Sequence, residues 1–311
     1  MIRTLTPNPS FDHTYEVARF DTGEVNRADR VSIAAAGKGV NVARNAVANG
    51  HAATAVIPGD AADGGAFAAE LARFDVGCEI VARTEPTRRN ITVVDRVGTT
   101  TKINEGGAAL DDDVAERLIT AAATGDDLIA ACGSLPPGTD STFYARLAEA
   151  VAEPGRRLAV DTSGAALHAC LDVPLLVAKP NRAELEELVE DRLETYGDLV
   201  DVATDLVRRG WSNVLVSLGG SGAVLVNRRG AWVGDAPIST IANTVGAGDA
   251  ALTGFLCEPA GDDKALASAL AFGRATVAQV STAGAIVDEA DRAAVRLRPV
   301  DPTESLGEET G

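Results

Sequence analysis

Lysine is nearly missing from this chain of 311 residues. It occurs only at positions 38, 102, 179 and 264, while 45 acidic residues leave a formal net charge of −17. So acidic a surface repels phosphate backbones and anionic lipid, which excludes nucleic acid and membrane surfaces as partners. The four cysteines (Cys78, Cys132, Cys170 and Cys257) are scattered with no CxxC pair, and the three histidines do not cluster. A disulfide framework and a zinc site are both disfavoured. No apolar run approaches the roughly 18 residues of a membrane span. The opening MIRTLTPNPS lacks a signal-peptide pattern, so a cytoplasmic protein is expected. A GxSxG nucleophile elbow, internal repeats and a domain-splitting linker are absent as well.

The acidity leaves two readings open. One is an ordinary acidic bacterial enzyme; the other is a halophilic protein kept soluble at molar salt by its surface charge. Either way, a lysine that survives in such a chain is a candidate for a specific task.

What is present is a core. Hydrophobic residues make up 46% of the chain, ample for one large domain. From residue 127 onward, short apolar runs alternate with helical patterns. DLIAACG (127–133), RLAVD (157–161), LLVAKP (175–180) and NVLVSLG (213–219) read as strands buried on both faces. STFYARLAEAVAE and RAELEELVE, between them, repeat apolar residues at three and four. Such alternation predicts a parallel sheet with right-handed crossovers. The first third differs: HTYEVARF, RVSIA, NITVVDRV and TTTKIN alternate in strand fashion without helices between paired members. They predict a small antiparallel sheet inserted as a lid, at about residues 12–34 and 86–106. The polar tail at 299–311 is expected to be disordered.

Several stretches carry chemistry. NTVGAGDA (243–250) sets Gly246, Ala247 and Gly248 directly before Asp249 and a helical pattern. A helix beginning there aims free N–H groups and a positive dipole end at an approaching anion, with a carboxylate planted beside it. AAAGKGVNVAR places Lys38 and Asn41 at another helix start, suited to a phosphate and sugar hydroxyls. It is not a phosphate loop of the P-loop type, because Gly39 stands at the Ser/Thr position and Ser32 at the first glycine. In TPNPSFD, Asp12 is expected at the C-terminal end of the first strand, where open α/β sheets bind ligands. TRRNITV sets Arg88 and Asn90 on one face of a strand. In KPNRAEL, Asn181 and Glu184 share a first helical turn, either as a capping box or as water-mediated holders of Mg²⁺. SLGGSGA (217–223) is a Gly-rich turn that reads as a hairpin or as a close approach to a nucleotide. The loose match of Gly246, Gly248 and Ala251 to a dinucleotide fingerprint has no following βαβ unit, because the last 60 or so residues read as helix and tail.

Taken in order, TPNPSFD, AAGKGVNVAR, TRRNITV, CGSLPPG, KPNRAEL, SLGGSGA and NTVGAGDA resemble the ribokinase-like (PfkB) family of carbohydrate kinases, over about residues 1–298. GKG together with SLPPG looks like that family's phosphosugar branch. The resemblance implies an α/β three-layer sandwich with a mostly parallel central sheet and a small β-sheet lid. It implies phosphoryl transfer from ATP with Mg²⁺, and K⁺ as a further candidate ion, to a ketose phosphate. Fructose 1-phosphate is favoured, with tagatose 6-phosphate and fructose 6-phosphate as alternatives; a sugar-phosphate-binding regulator is the non-enzyme alternative. Asp249 would be the base, with Gly246, Ala247 and Gly248 donating to the moving phosphoryl group. Asp12, Gly37 and Asn41 would hold sugar hydroxyls. Lys38 and Arg88 would face the substrate phosphate, with Arg27, Asn90 and Ser134 nearby. Lys179, Asn181, Glu184, Ser217, Gly219, Gly220, Gly222 and Thr244 would line the nucleotide side, Asn181 and Glu184 organising Mg²⁺ through water. Lids of this family often pair between subunits, which implies a homodimer. Ala36 and Cys132 depart from the family pattern, standing where glycine and serine are usual.

Overall fold

Strand residues here alternate between two separate cores, so a single sheet must run between them. Leu5, Val56, Ile129, Val160, Val214 and Val216 belong to one buried cluster. Their neighbours Ile57, Leu128, Ala130, Ala159, Val177 and Leu215 belong to another. A period of two with both faces apolar is what a helix-covered sheet requires. The computed structural model describes residues 1–125, 128–152, 157–279 and 284–307.

The first half runs β1 (Ile2–Leu5), β2 (Ser10–Val17), β3 (Ala28–Ala36), α1 (Lys38–Ala48), β4 (Ala53–Gly59), α2 (Asp63–Ala72), β5 (Gly77–Ala82), β6 (Arg88–Asp95), β7 (Thr100–Asn104) and α3 (Asp112–Ala122). Then come β8 (Leu128–Cys132), α4 (Phe143–Ala150), β9 (Arg157–Asp161), α5 (Gly164–His168), β10 (Val177–Ala178), α6 (Arg182–Val189) and α7 (Tyr196–Arg209). The remainder is β11 (Asn213–Ser217), β12 (Ala223–Asn227), β13 (Gly230–Asp235), α8 (Ala247–Cys257), α9 (Asp263–Val277), α10 (Glu289–Ala293) and β14 (Arg296–Arg298).

The ten-stranded sheet has the order β14-β13-β12-β11-β10-β9-β8-β1-β4-β5. Pairing is parallel from β5 to β11 and antiparallel from β11 to β14. Helices α3, α4, α5 and α7 cover one face through Leu118, Leu147, Leu167 and Leu199. Helices α1, α2, α8 and α9 cover the other through Val40, Phe67, Leu252 and Leu266. Helix α7 shows how locally such elements are specified. Thr195 and Asp198 form a capping box, Leu199, Ala203, Leu206 and Val207 make the buried stripe, and Gly210 at φ 129° ends it.

The second sheet, β3-β2-β6-β7, has four strands. It differs from the expected antiparallel sheet, since β2 pairs with β6 in parallel. The reason is connectivity: β6 enters from β5 of the main sheet, not through a hairpin from β3, so its direction is set by the body. This register places Asp12 opposite both Ala34 and Asn90, and a slip of one residue would turn both side chains to the other face.

Further differences are local. Asp12 lies within β2 and not at the end of β1. The final stretch contains the edge strand β14, which pairs with β13 through alternating Arg-Leu-Arg. Residues 299–307 are not a free tail. The Leu306 N–H donates to the carbonyl of Glu194 at 2.9 Å, those of Tyr196 and Gly197 donate to the carbonyls of Glu304 and Pro302 at 3.0 Å, and Leu306 is buried. An apolar residue inside a polar stretch found a groove beside α7. Residues 308–311 lie outside the described residues.

Candidate active site

Four elements from distant parts of the chain meet above the C-terminal ends of β9 and β10. Helix α1 begins at Lys38 because Gly37 adopts φ 143°, which favours glycine. A Cβ on Gly37 would stand 2.6 Å from Thr6 Cγ2, and one on Gly39 would stand 2.5 Å from Thr6 Oγ1. The GKG turn is therefore packed directly onto the loop after β1. Lys38 Nζ donates to Asp161 Oδ1 at 2.9 Å, and Lys179 Nζ lies 3.1 Å from Asp161 Oδ2. Asp161 is 1% exposed. Burial opposes its charge, but Lys179 and Lys38 hold its carboxyl below the usual range. Burial likewise works against the Lys38 ammonium, yet Asp161, Asp249 and Glu184 raise its pKa above the ordinary lysine value.

Helix α8 opens with Gly246 in the left-handed region at φ 83°, with no side-chain cap. Its first-turn N–H groups thus point outward with the positive end of the helix dipole. A Cβ on Gly248 would come 3.2 Å from Lys179 Nζ, so glycine lets the lysine lie against the helix start. Asp249 sits in the first turn, 6% exposed, and accepts a hydrogen bond from Asn41 Nδ2 at 2.8 Å. Burial, followed by the charge of Asp161, pushes the Asp249 carboxyl up to about 6, against the pull of Asn41, Lys38 and Lys179. The two carboxylates are driven apart, one kept charged by lysines and the other poised to take a proton.

The lid supplies a second group. Asn90 Nδ2 donates to Asp12 Oδ1 at 2.9 Å and to Ser10 Oγ at 3.0 Å. Arg88 Nη1 donates to the carbonyl of Glu105 at 2.9 Å. Arg88 Nε and Asn90 Oδ1 are buried without a partner, an arrangement that a bound polar ligand would complete. Ser134 is exposed just past β8, and Arg27 is exposed at the foot of β3. Neither makes a hydrogen bond or ion pair among the described residues.

On the other side, Asn181 and Glu184 form a capping box on α6: Asn181 Oδ1 accepts from the Glu184 N–H at 2.7 Å and Glu184 Oε2 from the Asn181 N–H at 2.8 Å. Glu184 Oε1 is left over. A bridge between Asn181 and Ser217 sets this helix start beside the glycine turn. That turn is a hairpin between β11 and β12, with Gly219 and Gly220 exposed. Gly222 has a structural reason to be glycine, because a Cβ would fall 2.0 Å from the Gly234 carbonyl oxygen. Thr244 is exposed and accepts from the Ala247 N–H at 3.4 Å.

Asp161 is the residue that sequence reasoning missed. It ends an otherwise apolar strand, the same signal that drew attention to Asp12, but its importance depends on two lysines far away in sequence. Among the described residues, no three His, Cys, Asp or Glu side chains form a metal cluster. The oxygen donors present, Asp161 and Glu184, suit a hard cation that keeps its own waters.

A buried carboxylate that gains a proton near pH 6, two ammonium groups and a helix N-terminus can together hold a multiply charged anion and accept a proton. Comparison with known proteins points the same way. The chain is 37% identical over 266 residues to the 1-phosphofructokinase of Haloferax volcanii, covering 82% of this chain and 83% of that protein. It is 36% identical over 260 residues to the 1-phosphofructokinase of Rhodobacter capsulatus, covering 82% of each. The crystal structure of phosphofructokinase-2 from Escherichia coli in complex with potassium superposes with a TM-score of 0.88 at 30% identity, over 94% of this chain and 97% of that one. Arabidopsis thaliana ribokinase, complexed with ribose and ATP, shares the fold at a TM-score of 0.69 and 20% identity, over 91% of this chain and 94% of that one. Residues 5–289 match the pfkB family carbohydrate kinase pattern, and the chain belongs to that family of kinases.

Proposed function

We propose that this protein transfers the γ-phosphoryl group of ATP to fructose 1-phosphate, giving fructose 1,6-bisphosphate and ADP. The observation that carries the reading is Asp249, a buried carboxyl pushed up to about 6 beside the helix N-terminus and two lysines. The free hydroxyl oxygen of the sugar attacks the γ-phosphorus, a new P–O bond forms, and the bond to the β-phosphate oxygen breaks. Asp249 takes the hydroxyl proton, and the bond electrons leave with ADP. At pH 7 a carboxyl of pKa about 6 is mostly ionised and so able to accept. The N–H groups of Ala247 and Gly248 stabilise charge on the moving phosphoryl group, with Gly246 shaping the turn.

Asp12 and Asn41 hold sugar hydroxyls, and Gly37 allows the close approach. Lys38 and Arg88 face the phosphate already on the sugar, with Asn90 and Ser134 at its rim. Lys179 bridges the nucleotide phosphates, while Ser217, Gly219, Gly220 and Thr244 border the nucleotide. Asp161 pairs with both lysines and aims them. Glu184 and Asn181 would hold the waters of a Mg²⁺ ion, which would supply charge neutralisation for the nucleotide phosphates. K⁺ is a further candidate ion, since the Escherichia coli relative was crystallised with potassium.

Two apolar features support a homodimer through the lid. Val31 and Ile33 on β3 and Ile103 on β7 are all roughly half exposed, a face that a second lid would cover. Arg27, at the foot of the same sheet, would reach such an interface. No helix among the described residues is long and apolar enough to cross a membrane. The net charge of −17 and the likeness to a Haloferax protein favour work at high salt in the cytoplasm.

The test is ADP release with MgATP on fructose 1-phosphate, tagatose 6-phosphate, fructose 6-phosphate and fructose, in molar KCl and in dilute buffer. The expected result is a kcat/KM preference for fructose 1-phosphate, strongest at high salt. Turnover on none of the phosphosugars at either salt would overturn the proposal.

A further inference from the structure

At the opposite end of β11 from the kinase centre lies a pair of cavities whose lining reverses the character of the chain. One, of about 330 Å³, is lined by Trp211, Asn213, Arg228, Arg229 and Ala260 among others. The second, of about 490 Å³, includes Thr204, Arg208 and the same Arg228 and Arg229. Neither is lined by a single carboxylate, although the chain has 45 of them. Ser217 marks the active-site end of β11 and Asn213 its other end, so a strand of five residues, on the order of 15 Å, separates the two places.

The floor of this place is fixed. Asn213 is 6% exposed; its Nδ2 donates to the Leu176 carbonyl and its Oδ1 accepts from Asn227 Nδ2, both at 2.8 Å. Asn227 Oδ1 in turn accepts the Arg229 N–H at 2.8 Å, which sets the turn that carries both arginines. Gly261 is part of the same build: at φ +64° its Cβ would fall 2.4 Å from Asn213 Oδ1. The guanidinium of Arg229 is steadied by the Ala260 carbonyl. Arg208 is paired with Asp205 yet 73% exposed. Arg228 makes no hydrogen bond or ion pair among the described residues.

We propose that Arg208, Arg228 and Arg229 form a second anion site, separate from the kinase centre, for a phosphorylated small molecule. Guanidinium forks match phosphate oxygens two at a time. The space exceeds what inorganic phosphate alone would fill and falls in the range of small-ligand pockets. In a chain of net charge −17, Arg228 and Arg229 face this concavity with no carboxylate partner, while the charge of Arg208 is offset by Asp205; the two uncompensated guanidinium groups set up a local positive field that concentrates such anions.

Pyrophosphate binding is measured by isothermal titration calorimetry at constant ionic strength, with and without Arg228→Ala/Arg229→Ala. The expected result is a saturable binding event whose Kd weakens at least tenfold in the double-arginine variant, as the loss of charge-assisted hydrogen bonds implies. The ATP-dependent kcat/KM of Arg228→Ala/Arg229→Ala should stay within about twofold of wild type, which also shows that the variant is folded. A titration unchanged by those substitutions, or no saturable binding, overturns the proposal.

Discussion

Asp249→Asn should do two opposite things, and their joint appearance is the sharpest test of the proposed mechanism. The unfolded aspartate titrates near 3.8 and the folded one near 6. The folded state binds that proton more tightly, so stability is greatest below pH 3.8 and declines as pH rises from 3.8 through 6. Above pH 6 the full cost is present, and two pKa units correspond to about 3 kcal/mol. Asparagine is isosteric, and its side-chain oxygen can still accept from Asn41, so the variant removes the charge and little else. At pH 7.5 its Tm should exceed that of the wild type by several degrees, given a few degrees per kcal/mol in a chain of this size. The difference should shrink as the pH is lowered towards 4. Turnover should meanwhile fall by about 10²- to 10⁴-fold, the range for loss of a positioned base, with substrate binding largely kept. Differential scanning calorimetry across pH 4–8 and coupled ADP release read the two effects independently. Near-wild-type kcat would refute the base assignment, and a lower Tm would refute the claim that this carboxylate is held against its own solvation.

One pH profile and four other substitutions, one of them a control, follow from the same geometry. In the wild type, kcat/KM should fall tenfold per pH unit below about 6, because protonated Asp249 cannot accept. Lys38→Met should move that limb upward, since the ammonium pulls the Asp249 pKa down. Asp161→Asn leaves Lys38 and buried Lys179 without their shared counter-charge, and urea denaturation at pH 7 should show a loss of about 3–5 kcal/mol. Gly37→Ala combines an unfavourable φ of 143° with a 2.6 Å approach to Thr6 Cγ2. It should cost about 1–3 kcal/mol and lower kcat/KM by displacing the start of α1. Gly23→Ala, at φ 86° with nothing within 4 Å, is the control: it carries the backbone strain alone and should leave kcat/KM unchanged.

Much of the candidate site was legible because it rests on short-range rules. Lys38, Asn41 and Asp249 sit on first helical turns, and the glycines before them announce those turns whatever the rest of the chain does. The alternation of apolar strands with amphipathic helices likewise dictates a covered parallel sheet. Asp161 was not legible in that way. As one acid ending an apolar strand, it gains meaning only from Lys38, 123 residues earlier, and from Lys179 just past the neighbouring strand. The lid shows the same limit: its strands were readable from their period, but the parallel pairing of β2 with β6 depends on where the body releases β6. Leu306 looked like part of a polar tail until α7 offered it a groove.

By itself, then, the sequence determined the elements, the glycine-shaped helix starts and the residue types gathered at them, since each depends on a few consecutive residues. Tertiary structure alone decided which strands lie side by side, which charges share a partner, and that one carboxylate stays ionised while the other rises to about 6. Those outcomes depend on burial and on charges brought within a few ångströms from distant positions, and neither is a property of a local stretch of chain.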